Sequence, residues 1–188
     1  MPEISRKKFK FIHISTDEVF GSLQINEKPF KESNPYLPNS PYAASKAASD
    51  HLVRSFNKTH KLPCIISNCS NNYGPFQYPE KLIPLVINNA LNLKDLPVYG
   101  KGNQIRDWLH VKDHCKAIIT ILEDGAPSET YNIGGSCEME NIEVIKIICN
   151  SLDNLRPRKD KKKYEDLIKF VSDRPGHDLR YAINSDKI

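Results

Sequence analysis

Lys10-Phe-Ile-His-Ile-Ser15 is a short β-rich run without strict alternation of apolar and polar residues, and it leads directly into Thr16-Asp-Glu-Val-Phe-Gly21. A strand with that pattern is buried on both faces, as in a parallel sheet covered by helices. Open α/β sheets bind ligands outside the carboxyl ends of their strands, so Thr16, Asp17 and Glu18 stand where chemistry is expected. Adjacent carboxylates there are candidates for acid and base work. Taken alone, an Asp-Glu pair is more often a solvated turn.

Outward from this strand, Gly21 to Pro41 is rich in Pro, Asn, Ser and charge and reads as a loop, whereas Tyr42 to His60 is Ala-rich and helix-favouring. Pro63 breaks the chain before a second buried strand, Cys64 to Asn68. Asn71 to Pro79 carries turn chemistry, and Glu80 to Leu93 places Leu82, Ile83, Leu85, Val86, Ala90 and Leu91 on a helical period. Leu96 to Tyr99 reads as a strand closed by Gly100-Lys-Gly102. Val111 to Glu123 reads as a helix, Thr130 to Ile133 as a strand ending in Gly134-Gly135, and Ile142 to Leu152 as a helix. This alternation implies α/β layering around a mostly parallel sheet, with no internal repeat.

A chain of 188 residues, 39% apolar and 27% charged, is long enough for one domain with a sizeable core. No stretch approaches the roughly 18 to 20 apolar residues of a membrane span, and the start, MPEISRKKFKF, has no apolar signal region, so the expectation is a cytoplasmic protein without a membrane partner. Cys64, Cys69, Cys115, Cys137 and Cys149 are widely spaced without a C-x-x-C pair; they read as reduced, mostly buried thiols and hold no metal site. The net charge of +4 comes largely from Arg156 to Lys163. So local an excess argues against a nucleic-acid partner and for a solvated loop.

Tyr42-Ala-Ala-Ser-Lys46 puts two functional side chains four residues apart, on one helix face. The Lys46 ammonium can then sit near the Tyr42 phenol and favour its phenolate. By itself a Tyr-x-x-x-Lys spacing is met by chance in many helices. Together with Thr16 on the preceding strand end, it resembles the catalytic triad of the extended short-chain dehydrogenase/reductases. Within that superfamily, 4-epimerases carry a small residue where this chain has Asp17, and GDP-mannose dehydratases and related decarboxylases carry a Ser-Glu pair. Thr16-Asp17-Glu18 is similar to the dTDP-glucose 4,6-dehydratase family. So are Asn68-Cys-Ser-Asn-Asn-Tyr-Gly-Pro75, Tyr78-Pro-Glu-Lys-Leu-Ile-Pro84, Tyr99-Gly-Lys-Gly102, Gln104-Ile-Arg-Asp-Trp108, Tyr131-Asn-Ile-Gly-Gly135 and Asp173-Arg-Pro-Gly-His-Asp178. The resemblance runs in order from about Phe9 to Ile188.

The resemblance implies a partial Rossmann-like doubly wound parallel sheet with a smaller mixed α/β substrate-binding lobe. Residues 1–75 would be the later part of the NAD-binding domain, and residues 76–188 mainly the nucleotide-sugar lobe, with short returns to the sheet. It implies catalytic roles for Thr16, Asp17, Glu18, Tyr42 and Lys46, with Tyr42, Lys46 and Asn72 at the nicotinamide end of NAD. Tyrosine is the base for hydride transfer in that family, lysine also holds the nicotinamide ribose, and threonine orients the substrate oxygen. Asn71, Lys81, Leu82, Pro97, Val98, Tyr99, Arg106, Asn141, Asp173, Arg174, Pro175, Gly176 and His177 match positions around the nucleotide and diphosphate of a dTDP-sugar. Arg and Lys donors suit a diphosphate, and an aromatic or apolar wall suits a pyrimidine. Without the resemblance, Asn71, Asn72 and Asn141 read as turn or cap residues. Trp108 and Leu109 read as core, and His13 and His110 as structural histidines, leaving His177 as the histidine of the site.

The implied reaction converts dTDP-glucose to the 4-keto-6-deoxy sugar, and the implied assembly is a homodimer through the Tyr42 to His60 helix. That family opens with a strand and a glycine-rich turn that holds the NAD pyrophosphate. None of the eight glycines here forms such a turn, so the expectation is either that a separate amino-terminal segment supplies it or that the chain is a truncation, and that the strands present expose an unpaired edge and bare apolar faces. Two alternatives stay open: a neighbouring UDP-sugar dehydratase, 4-epimerase or decarboxylase, and a non-catalytic sugar-nucleotide-binding module.

Overall fold

In a computed structural model residues 9–188 are described, so the expectation for the first eight residues lies outside the described part. β1 (Phe11–Thr16) pairs in parallel with β2 (Cys64–Cys69), and β2 pairs in parallel with β6 (Thr130–Ile133). The crossover from β1 to β2 is helix α1 (Pro41–His60). Ser40 starts it by accepting from the Ala43 amide, Pro41 fits the first turn, and Lys61 ends it in the left-handed conformation. Ala43 and Ala47 are buried, and these small side chains let α1 lie close on the sheet. β1 stands at the edge of this three-stranded sheet, with Phe11 and Ile14 partly exposed.

A second sheet runs β3 (Asn71–Tyr73), β5 (Ile105–His110) and β7 (Glu138–Glu140), parallel between β3 and β5 and antiparallel between β5 and β7. β4 (Leu96–Tyr99) and β8 (Ile168–Val171) form a parallel pair in the lobe. Helix α2 (Leu82–Leu91) packs with α4 (Asn141–Leu155) there, while α3 (Val111–Asp124) follows β5 directly. The lobe core is Val86, Ala90, Leu96, Val98, Ile145, Cys149 and Tyr164. Ile65, Leu109, Ile121 and Ile133 form a second core between α3 and the first sheet, which confirms the core reading of Leu109.

Four strands depart from the sequence reading. Asn71–Tyr73, expected as turn, is a strand, and β5, β7 and β8 stand where no strand was expected. β5 reads Ile105-Arg-Asp-Trp-Leu-His, whose two charges mask its β character. Burial is possible because both charges find backbone partners: the Asp107 carboxylate accepts from the Gly135 amide at 2.8 Å and the Cys137 amide at 2.7 Å. The thiols are all free, but only Cys64 and Cys149 are buried; Cys115 and Cys137 are exposed, against the expectation of a mostly buried set. None of the helices among the described residues is long and apolar enough to cross a membrane.

Candidate active site

β1 ends where the chain tightens into a 3-10 turn at Asp17–Phe20. Thr16 is extended and caps this turn, its Oγ1 accepting from the Glu18 amide at 3.3 Å. Val19 and Phe20 anchor the turn in a core with Ala47 and Ile183, and Phe20 stacks on Phe30 with ring centroids 5.3 Å apart. Gly21 closes it at φ 92°, where a Cβ would sit 2.5 Å from the Leu37 carbonyl oxygen. The anchor draws Asp17 inward until it is 3% exposed.

Burial sets the chemistry of the carboxylate pair. Asp17 Oδ1 is 3.3 Å from the Thr16 hydroxyl that donates to it, and Oδ2 is buried without a partner. Loss of solvent pushes the Asp17 carboxyl up to about 7, and the neighbouring Glu18 adds to this; the Thr16 hydroxyl and Arg106 oppose it. Glu18 is also raised, first by burial, but Arg106, Arg174 and Lys81 pull it back while Asp178 pushes it up. The two carboxyls thus occupy different environments, which is how an acid and a base coexist in one site.

Tyr42 and Lys46 face the same cleft. The expected lowering of the phenol by Lys46 is not found. Lys46 Nζ donates to the Ile14 carbonyl at 2.8 Å, and the Tyr42 hydroxyl is raised by burial and then by Glu18, Cys69 and Asp17. Burial leads in raising the phenol, and with the ammonium held by backbone the nearby acidic groups add to it.

Thr16, Asp17, Glu18, Tyr42, Lys46, Asn71, Asn72, Lys81 and Leu82 line one open cleft of about 430 Å³. Ile14, Ser15, Cys69, Ser70, Gln77, Tyr78 and Trp108 complete its wall, and sequence reasoning missed all seven. Trp108 is buried, as its core reading expected, and still reaches the cleft wall from β5. A larger cavity of about 560 Å³ lies beneath the far end of α1, lined by Arg54, Lys58, Lys61 and Glu129 among others; it has no paired carboxylates and lies away from the β1 end.

The remaining expected substrate residues lie beyond this cleft. Val98 is 2% exposed inside the lobe core, so its side chain forms no wall for a base, contrary to expectation; the apolar packing of β4 against α4 takes it. Pro97 is half-buried and Tyr99 exposed, and Asn141 opens α4 with its amide donating to the Gln104 carbonyl. Arg106 is buried: its guanidinium donates to the carbonyls of Ile105 (2.7 Å) and Asp178 (2.9 Å) and lies 4.4 Å over the Tyr181 ring. The Asp173, Arg174, Pro175, Gly176, His177 turn is tied to the β4–β5 connection by Gln104 donating to Asp173 at 2.9 Å, and His177 Nδ1 stands 2.7 Å from Asp173. Arg174 and Arg106 both act on Glu18, which connects this turn electrostatically to the carboxylate pair. His13 stands 3.1 Å from Asp50, and His110 caps α3 by accepting from the Lys112 amide, so both are structural. No group of His, Cys, Asp and Glu among the described residues is arranged to hold a metal ion.

A parallel α/β fold with this cleft at the carboxyl end of β1 places the chain in the class of open-sheet proteins that bind ligands beyond their strand ends. The family model described as GDP-mannose 4,6 dehydratase matches residues 2–188, and the chain belongs to that family. It is 58% identical over 188 residues to a dTDP-glucose 4,6-dehydratase of Xanthomonas campestris, covering 100% of this chain and 53% of that protein. A dTDP-glucose 4,6-dehydratase of Streptomyces venezuelae, crystallised with NAD bound, superposes with a TM-score of 0.86 at 45% identity over 95% of this chain and 52% of that one. The Bacillus anthracis enzyme of that name, in complex with NAD, superposes at 0.84 with 48% identity over 98% and 56%. The chain therefore spans about half the length of the relatives it matches.

Proposed function

We propose that this chain is the catalytic and sugar-binding portion of an NAD-dependent dTDP-glucose 4,6-dehydratase. One observation carries the reading: a buried Asp17, its carboxyl raised to about 7, beside Glu18 in the same cleft as Tyr42 and Lys46. A dehydrogenase alone has no use for that pair; an elimination needs both an acid and a base.

The cleft suits the nicotinamide end of NAD. Asn72 Oδ1 is buried without a partner and can accept from a carboxamide, and Lys46 can donate to ribose hydroxyls. When bound, NAD supplies a hydride acceptor that returns the hydride later in the cycle. In this reading Tyr42 takes the proton of the sugar C4 hydroxyl as a phenolate, which requires the Lys46 ammonium to turn from the Ile14 carbonyl toward the phenol, and Thr16 orients the oxygen. The resulting ketone acidifies the neighbouring C5 proton, which Glu18 removes. Asp17 gives its proton to the C6 hydroxyl, which leaves as water, and the 6-deoxy product then requires the hydride back at C6 and the proton held by Glu18 back at C5. Lys81, Arg106, Arg174 and His177 supply the cationic and polar side for a diphosphate, with Asn71, Leu82, Pro97, Tyr99, Asn141 and the backbone at Val98 toward the nucleotide.

Residues up to about 75 serve the cofactor and the chemistry in this reading, and the rest mainly the nucleotide-sugar. Partly exposed Leu52 and Phe56 on α1 support pairing of two copies through that helix in a cytoplasmic homodimer. Incubating the complete protein with NAD and dTDP-glucose, followed by product analysis, tests the proposal. A 4-keto-6-deoxy product supports it; unchanged sugar, or a 4-epimer, refutes it.

A further inference from the structure

Asp50 lies two turns beyond Tyr42 on the inner face of α1, and it is fully buried. Its Oδ2 accepts from Tyr36 OH at 2.8 Å, Ser15 Oγ at 3.0 Å and Asn68 Nδ2 at 3.4 Å, while Oδ1 stands 3.1 Å from His13 Nε2. These partners come from β1, β2 and the loop between β1 and α1. Ser15 immediately precedes Thr16, and the Asn68 amide that reaches Asp50 also donates to the Thr16 carbonyl at 3.1 Å. One turn nearer Tyr42, Lys46 donates to the Ile14 carbonyl. One face of α1 is thus bonded to Ile14, Ser15 and, through Asn68, to Thr16.

Burying a carboxylate costs desolvation, and an apolar side chain of similar volume often gives equal or better stability. What the carboxylate adds is direction, because its bonds are satisfied in only one register between helix and strand. The chemistry above divides between those two elements, with Tyr42 on α1 and Thr16, Asp17 and Glu18 at the end of β1.

We propose that Asp50 is a positioning residue: its carboxylate locks the helix bearing Tyr42 and Lys46 to the strand end bearing Thr16 and the carboxylate pair, setting the spacing between Tyr42 and Thr16 that the hydride step needs. The proposal rests on the dehydratase reading for its chemical consequence. It is tested in the complete NAD-bound protein with Asp50→Asn, and with the milder Ser15→Ala and Tyr36→Phe. A misplacement of about 1 Å costs on the order of 100-fold, so the single-turnover rate constant for NADH formation per folded site should fall roughly 10- to 100-fold in Asp50→Asn, and less in the other two. KM should move by less than about threefold, since the substrate-binding turn is untouched. A purely structural role would lower the amplitude, which counts folded sites, and leave that rate constant alone. If Asp50→Asn does not fold, the milder variants decide. Rate constants within about twofold of the parent in every variant that folds would overturn the proposal.

Hydrogen exchange separates this idea from the function it rests on. Amides of residues 15–18 should exchange faster in Ser15→Ala and Tyr36→Phe while residues 82–99 keep their protection. Unchanged protection at 15–18 sinks the lock even if the parent protein proves to have no dehydratase activity. Absent activity with loosened 15–18 amides sinks the dehydratase reading and leaves the lock standing.

Discussion

At the carboxyl end of β1 the buried groups include Ser15, Thr16, Asp17, Asp50, Ser67, Asn68 and Ser70, whereas around β4 they are Val86, Ala90, Leu96, Val98, Ile145, Cys149 and Tyr164. The lobe is held by apolar area removed from water, an undirected attraction that scales with the surface buried. The β1 end is held in part by directional hydrogen bonds among buried polar groups, and it leaves Asp17 Oδ2, Ser67 Oγ and Ser70 Oγ without partners. Unpartnered buried polar atoms cost free energy, so this half carries the strain and the other half offsets it. The difference teaches where substitutions should hurt activity and where they should hurt stability.

The largest effect expected on the polar side is Tyr42→Phe. It removes one hydroxyl from a partly exposed side chain and no packing, so the denaturation midpoint should stay with the parent while NADH formation in a single turnover falls on the order of 100- to 10,000-fold. On the apolar side, Ile145→Ala opens a cavity beneath β4 and should cost about 2–5 kcal/mol in urea unfolding, with the rate per folded molecule nearly kept. A Tyr42→Phe protein that unfolds early, or an Ile145→Ala protein that is fully stable, would break the contrast.

A smaller effect comes from pH. The Asp17 carboxyl is raised from 3.8 to about 7 in the fold, so the folded state holds the proton that the unfolded chain has already lost. Its contribution to stability is fully present below about 4 and is lost as the pH rises through about 7. Asp17→Asn should therefore melt near the parent at acid pH and above it at pH 8, by a few degrees at most. In the parent, kcat should fall as the pH passes 7 and the acid loses its proton. A melting difference of opposite slope would show that Asp17 is ionised and stabilised in the fold.

Much of this division was legible in the residues. β1 and β2 read as buried strands because their apolar runs lack alternation, and α1, α2, α3 and α4 read from helical period and alanine content. β5 did not, since Arg106 and Asp107 look like surface charges until Gly135, Cys137 and Asp178, far along the chain, supply their partners. The pairing of Tyr42 and Lys46 in one cleft was legible as spacing, but the state of Tyr42 was not. Two carboxyls 24 and 25 residues before it in the chain raise its hydroxyl, and only the fold brings them near. Val98 fell on the wrong side because a strand of four residues gives too little pattern to tell a core face from a ligand wall.

The central claim is that Asp17 and Glu18 perform an elimination after a hydride transfer that does not need them. Glu18→Gln in the complete NAD-bound protein, followed by single-turnover absorbance and product analysis together, tests it most directly. NADH should accumulate on the enzyme while release of the 4-keto-6-deoxy sugar falls on the order of 100- to 10,000-fold. Turnover to product at the parent's rate would contradict it, and would leave the pair, with Asp17 buried, a structural feature of the turn.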